Sequence, residues 1–165
     1  MRHSLLLLLV LCACSYTWGY RQFPAQVQTV AVPPAIENGV DVDASALLTS
    51  SVRRAVMRHP TVDLVSKPKA DAHLELTLLD VRSGLAPMSD PSRRAAQYRS
   101  YITVRAVLRH KDGRKLWQVG RVIGQADYLS APDDIEALDG RRRMALQKAA
   151  ASAAEQLMTS LTYKP

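Results

Sequence analysis

The chain has 165 residues and a mass of 18.2 kDa, with 47% hydrophobic and 22% charged residues. That is room for one domain plus a short appended segment, and it excludes a disordered chain, a repeat array and a second full-sized domain. A formal charge of +7 points to anionic surroundings (nucleic acid, phosphate-bearing lipid or an acidic partner) without choosing among them. With aromatics at 5% and Phe23 the sole phenylalanine, the core must be built mainly from Leu, Val, Ile and Ala.

Arg2 and His3 lead through Ser4 into the nine apolar residues Leu5 to Ala13. A membrane-spanning helix needs roughly 20, so this run reads as an export signal. Its end, Leu11-Cys12-Ala13-Cys14, resembles the box of a bacterial lipoprotein signal, with Cys14 as the acylated residue because small Ala13 precedes it. A disulfide between Cys12 and Cys14 is disfavoured, since two residues apart is too close for ordinary disulfide geometry. The resemblance implies cleavage before Cys14 and a diacylglycerol thioether plus an N-acyl group, enough acyl chain for stable anchoring. Ser15, which is not Asp, implies sorting to the outer membrane on the enterobacterial pattern. The organisation expected is a signal peptide over 1–13, a lipidated aromatic tether over 14–25 and a single domain over 26–165. Without Arg2 the mature domain keeps 21 basic against 15 acidic side chains.

In the tether, Tyr16, Trp18, Tyr20 and Phe23 suit a membrane interface, a partner pocket, or a segment folded back on the domain. Gln26 to Val32 alternates as a strand and stops at Pro33-Pro34. Asp43 is a plausible N-cap for a helix from Ala44 to about Arg58, ended by His59-Pro60. Thr61 to Lys67 reads as a short strand. A longer one over Ala70 to Val81 places Ala72, Leu74, Leu76 and Leu78 on one face and His73, Glu75 and Thr77 on the other. Ser83 to Arg94 reads as a loop. Tyr98 to Arg109 alternates most clearly, with Ile102, Val104, Ala106 and Leu108 on one side. Asp112-Gly113 marks a hairpin, and the return strand runs from Lys115 to about Tyr128. Its Gly120 and Gly124 suggest a bulge or a close approach. After an acidic loop holding Pro132, Asp133, Asp134, Glu136 and Asp139, a long helix is expected to open at Arg141 and reach about Leu161. Leu146, Ala149, Ala150, Ala153, Leu157 and Leu161 form its narrow apolar stripe, which suits close packing on a sheet. The element order predicts an α+β two-layer sandwich with the helices on one face of the sheet.

Several pieces taken in order resemble the LPS-assembly lipoprotein family (LptE). These are Cys14 and Tyr16, the strand Thr29-Val30-Ala31-Val32-Pro33 before Glu37-Asn38, Ala70-Asp71-Ala72-His73-Leu74, Gly113-Arg114-Lys115-Leu116-Trp117, and Ala154-Glu155-Gln156-Leu157 in the last helix. The chain departs from the family pattern at Ser15, Val40 and Ser45-Ala46-Leu47. The resemblance implies two helices packed on a mixed, mainly four-stranded sheet. It also implies a cell outer-membrane lipoprotein that partners and plugs an LptD-like β-barrel translocon, possessing no catalytic activity and binding lipopolysaccharide through basic loop residues.

By position, the nearest equivalents of those basic residues are Arg93 and Arg94, before the Tyr98 strand, and Arg141, Arg142 and Arg143. Guanidinium groups engage phosphate bidentately. Contact with the barrel and a solvated basic surface are the competing readings. Cations at a helix N-terminus oppose the dipole, which favours a functional or partner-facing role for the triplet. Enzymatic readings find little support. His59, His73 and His110 fall in separate elements without ligand-spaced partners, Ser50-Ser51 lacks a glycine elbow, and the acidic loop lacks EF-hand spacing, so neither a metal nor a cofactor is expected. Nucleic acid is disfavoured by export and by the lack of aromatics interleaved with basic residues. The alternative reading is an envelope lipoprotein acting as auxiliary subunit of a transporter or secretion pore.

Overall fold

The computed structural model describes residues 23–24, 27–37, 39, 41–86, 96–130 and 135–162. Cys14, the segment expected to be a signal, and Arg93 and Arg94 lie outside the described residues. The order is β1 (Thr29–Ala31), β2 (Ile36–Glu37), α1 (Val42–Met57), β3 (Asp63–Leu64), β4 (Ala72–Leu85), β5 (Ala96–His110), β6 (Lys115–Ser130) and α2 (Ile135–Thr162), with a 3-10 turn at Lys67–Lys69.

The expected α+β arrangement is what forms: two helices pack against a mixed sheet of six strands, ordered β3-β1-β4-β5-β6, with β2 also paired to β4. β1, β2 and β3 run parallel to their neighbours, whereas β4, β5 and β6 make an antiparallel meander. The sheet has six strands and not about four, because two two-residue strands join the four longer ones: β2 beyond the Pro33-Pro34 break, and β3 alongside β1.

Alternation decides what is buried. Ala72, Leu74, Leu76 and Leu78 of β4 and Ile102, Val104, Ala106 and Leu108 of β5 are all buried on the helix side. Full burial of each large aliphatic side chain contributes about 1.5–3 kcal/mol. From α2, Leu146, Ala149, Ala150, Ala153, Leu157 and Leu161 close the core, as the stripe predicts. The two glycines of β6 divide the two expectations between them. The register slips between Val104 and Ala106, placing a bulge around Gly120 and Arg121. Gly124 is a close approach: a Cβ there would stand 2.0 Å from the Ala149 carbonyl oxygen.

Four expectations need correction. The N-cap of α1 is Asp41, whose Oδ1 accepts from Ala44 N at 2.9 Å, because its backbone is extended while Asp43 is already helical. The strand expected over Thr61 to Lys67 shrinks to Asp63–Leu64, since Lys67-Pro68 turns into the 3-10 helix. β4 continues through Ser83 and Gly84 to Leu85, where a loop was expected, because each residue finds a partner on β5 (Ser83 with Ser100, Leu85 with Tyr98). Finally, α2 begins at Ile135 and not at Arg141, so Glu136 and Asp139 are helical.

Phe23 belongs to the core: it is 6% exposed and packs edge-on against His59 with ring centroids 5.5 Å apart. Among the described residues no helix is long and apolar enough to cross a membrane.

Candidate ligand groove between the last strand and the long helix

α2 runs antiparallel to β6 along the edge of the sheet. Arg141 Nη1 donates to the Leu129 carbonyl at 3.4 Å, and Gln156 Nε2 donates to the Ile123 carbonyl at 3.1 Å. An outer strand presents unpaired backbone groups that invite association, and these side chains satisfy two of them.

At the N-terminal end of α2 the helix and strand diverge around a groove of about 470 Å³, lined by Gln97, Asp127, Tyr128, Leu129, Arg141, Met144, Ala145 and Lys148. Arg141, Ala145 and Lys148 recur at helical spacing, so one side of the helix presents two cations to the groove. The acid in the lining is already committed. Asp127 accepts from Arg99 through both carboxylate oxygens, with Nη2 to Oδ2 at 2.8 Å, and from Gln97 Nε2 at 2.9 Å. The Arg99 guanidinium holds the Asp127 carboxyl below the usual carboxylate range, and Asp127 in turn raises the Arg99 pKa. Lys148, Arg142 and Arg143 have no acidic partner among the described residues.

Apolar surface adjoins these cations. Leu129 is 60% exposed, Met144 57% and Leu85 66%, while Tyr98 and Tyr128 stack with centroids 5.4 Å apart. Cations bordering exposed aliphatic groups suit an amphiphile with an anionic head.

Of the sequence-expected residues, only Arg141 lines the groove; Arg142 and Arg143 are exposed beside it. Because the helix starts six residues before Arg141, the triplet lies past the first turn, where the dipole field has faded, and the electrostatic objection to it disappears. Arg93 and Arg94 lie outside the described residues, but the strand ends that bracket them, Leu85 and Ala96, are at this end of the sheet, with Ala96 opposite Ser130. Lys148, Met144 and Tyr128 were missed. A seven-residue step from Arg141 to Lys148 was visible in the sequence, but its meeting with β6 was not. No group of three or more His, Cys, Asp or Glu among the described residues is placed to hold a metal ion.

The fold and the groove define a class: a small α+β domain, basic, without a membrane-spanning helix among its described residues, and carrying a cationic cleft beside apolar surface. A family model described as LptE, lipopolysaccharide-assembly, matches residues 27–161, and the chain belongs to that family. Among solved structures, a Caulobacter crescentus protein aligns with TM-score 0.54 at 19% identity, covering 81% of this chain and 87% of that one. The rare lipoprotein B from Shewanella oneidensis aligns with TM-score 0.50 at 15% identity, covering 81% and 92%. At such identities the likeness is one of fold. No match is found among curated proteins.

Proposed function

We propose that the protein is an outer-membrane lipoprotein, acylated at Cys14, that partners a β-barrel translocon in lipopolysaccharide assembly and engages lipopolysaccharide in the groove between β6 and α2. Family membership supports the general role. The observation that carries the binding assignment is the pairing of Arg141 and Lys148 with exposed Leu129 and Met144, in a groove whose acid is neutralised by Arg99. Phosphates of the ligand meet the cations, and its acyl chains meet the apolar wall. Arg142 and Arg143 are exposed beside the groove and add to its basic surface; Arg93 and Arg94 are assigned to ligand binding from the sequence alone.

Lipopolysaccharide titration onto the purified protein tests this reading. Arg141→Glu with Lys148→Glu is expected to weaken binding by about tenfold or more, given about 1.5–3 kcal/mol for each charge-assisted contact. Unchanged affinity in a folded double variant removes the groove from the assignment. For the partner, native purification is expected to recover a stoichiometric outer-membrane β-barrel. Recovery of an inner-membrane transporter instead would support the auxiliary-subunit reading.

A further inference from the structure

We propose that the end of the domain from which the tether emerges is a docking surface for anionic phospholipid headgroups. This rests on the reading that Cys14 is acylated.

Phe23, the first described residue, is buried against His59 just past the end of α1, so the described part of the chain begins at this end. The same end gathers the starts of β1 and β3, which pair Thr29 with Asp63, and the β5–β6 turn, where Lys111 N donates to the Asp71 carbonyl at 2.8 Å. The 3-10 turn joins them, since the Lys69 carbonyl accepts from Thr29 Oγ1 at 3.4 Å. Arg58, Lys69, Lys111, Arg114 and Lys115 are all exposed here.

Of the acids at this end, Asp71 and Asp112 are held by hydrogen bonds within the fold, and each also lies 4.0 Å from a cation, Lys111 and Arg114 respectively. Asp71 accepts from the Thr29 amide and hydroxyl at 3.1 and 2.8 Å. Asp112 accepts from Arg114 N at 2.9 Å and lies 2.9 Å from His110 Nδ1. Five cations therefore stand against three acids, counting Asp63, and Met57 beside them is 61% exposed.

Eight residues, 15–22, separate Cys14 from Phe23, nine Cα steps that span at most about 32 Å. The anchor thus holds a cationic surface close to the bilayer at high effective concentration. Each Lys or Arg near an anionic leaflet contributes about fivefold to association, and charge complementarity therefore favours a lipid surface over a second copy of this equally basic chain.

The test uses the lipidated protein on vesicles of phosphatidylcholine with and without phosphatidylglycerol. The mature chain has no cysteine besides Cys14, so a thiol-reactive fluorophore can be placed singly at Thr61→Cys, at this end, or at Arg142→Cys, at the other. Nitroxide-headgroup lipids are expected to quench the label at position 61, not at 142, and only with phosphatidylglycerol present. Replacing Lys69, Lys111 and Arg114 by Gln should weaken the association read by that quenching by up to about a hundredfold, while Arg142→Gln with Arg143→Gln should leave the position-61 signal intact. All these side chains are exposed, and circular dichroism verifies the fold. Equal quenching at both positions, or quenching independent of phosphatidylglycerol, overturns the proposal. Flotation of the vesicles reads the anchor separately: protein left at the bottom of the gradient refutes acylation and takes the docking with it.

Discussion

Asp71 illustrates how one side chain ties the start of the sheet together. Its Oδ2 accepts from both the amide and hydroxyl of Thr29, and its own amide donates to Thr29 Oγ1 at 2.9 Å, bridging β1 and β4 across 42 residues. The hydroxyl and amide of Thr29 hold the Asp71 carboxyl below its ordinary value. A carboxylate whose pKa is depressed by folding stabilises the protein above its unfolded pKa, about 3.9, and loses that contribution as pH falls through the folded value. Asp71→Asn should therefore lower the urea midpoint at pH 7, and the gap to the parent should narrow below about pH 4. An equal gap at both pH values would show that the ionised form plays no part. At the helix start, Asp41→Ala is expected to cost about 1 kcal/mol, and Asp43→Ala well under half of that, in urea unfolding. Both aspartates lie at capping distance in the sequence. Only the extended backbone at Asp41, with φ −171° and ψ 111°, distinguishes them.

Among the elements, β6 and α2 are coupled by a missing side chain. A Cβ at Gly124 would meet Ala149 O at 2.0 Å, Ala153 N at 2.6 Å and Ala153 Cβ at 2.7 Å. Backbone atoms cannot swing aside, so Gly124→Ala should force the helix off the sheet at a cost of about 3 kcal/mol. A Cβ at Gly120 would meet nothing within 4 Å, and Gly120→Ala should change stability by less than about 1 kcal/mol in the same assay. Equal losses for the two would sever the link between β6 packing and Gly124. The Ala-rich stripe of α2 predicted close packing; the glycine that receives it could not be told from a bulge glycine by sequence. The early start of α2 was hidden for a related reason. The acidic, proline-containing composition resembles a loop, yet acids favour a helix's first turn, and among the described side chains of the helix the first fully buried ones are Ala145 and Leu146.

At the scale of the whole molecule, the end that holds Phe23 and the groove lie at opposite ends of the β5–β6 hairpin. Fifteen residues of β5 span roughly 45 Å, more than four Debye lengths at physiological ionic strength. Charge changes at the two ends should consequently act independently. Combining Lys148→Glu with Lys69→Gln should give unfolding free energies that add within about 0.5 kcal/mol, and lipopolysaccharide affinity should follow only the groove substitution. A marked departure from additivity in denaturant titrations would mean that the ends communicate through the sheet. Alternation in β4 and β5, the aliphatic stripe of α2 and the Asp-Gly hairpin were determined by the sequence alone, because periodicity and turn chemistry are properties of neighbouring residues. The tertiary structure alone decided which aspartate caps α1, that Phe23 enters the core, and that Arg141 and Lys148 face Leu129 and Tyr128. Those contacts join residues remote along the chain, and they exist only once α2 has packed antiparallel against β6.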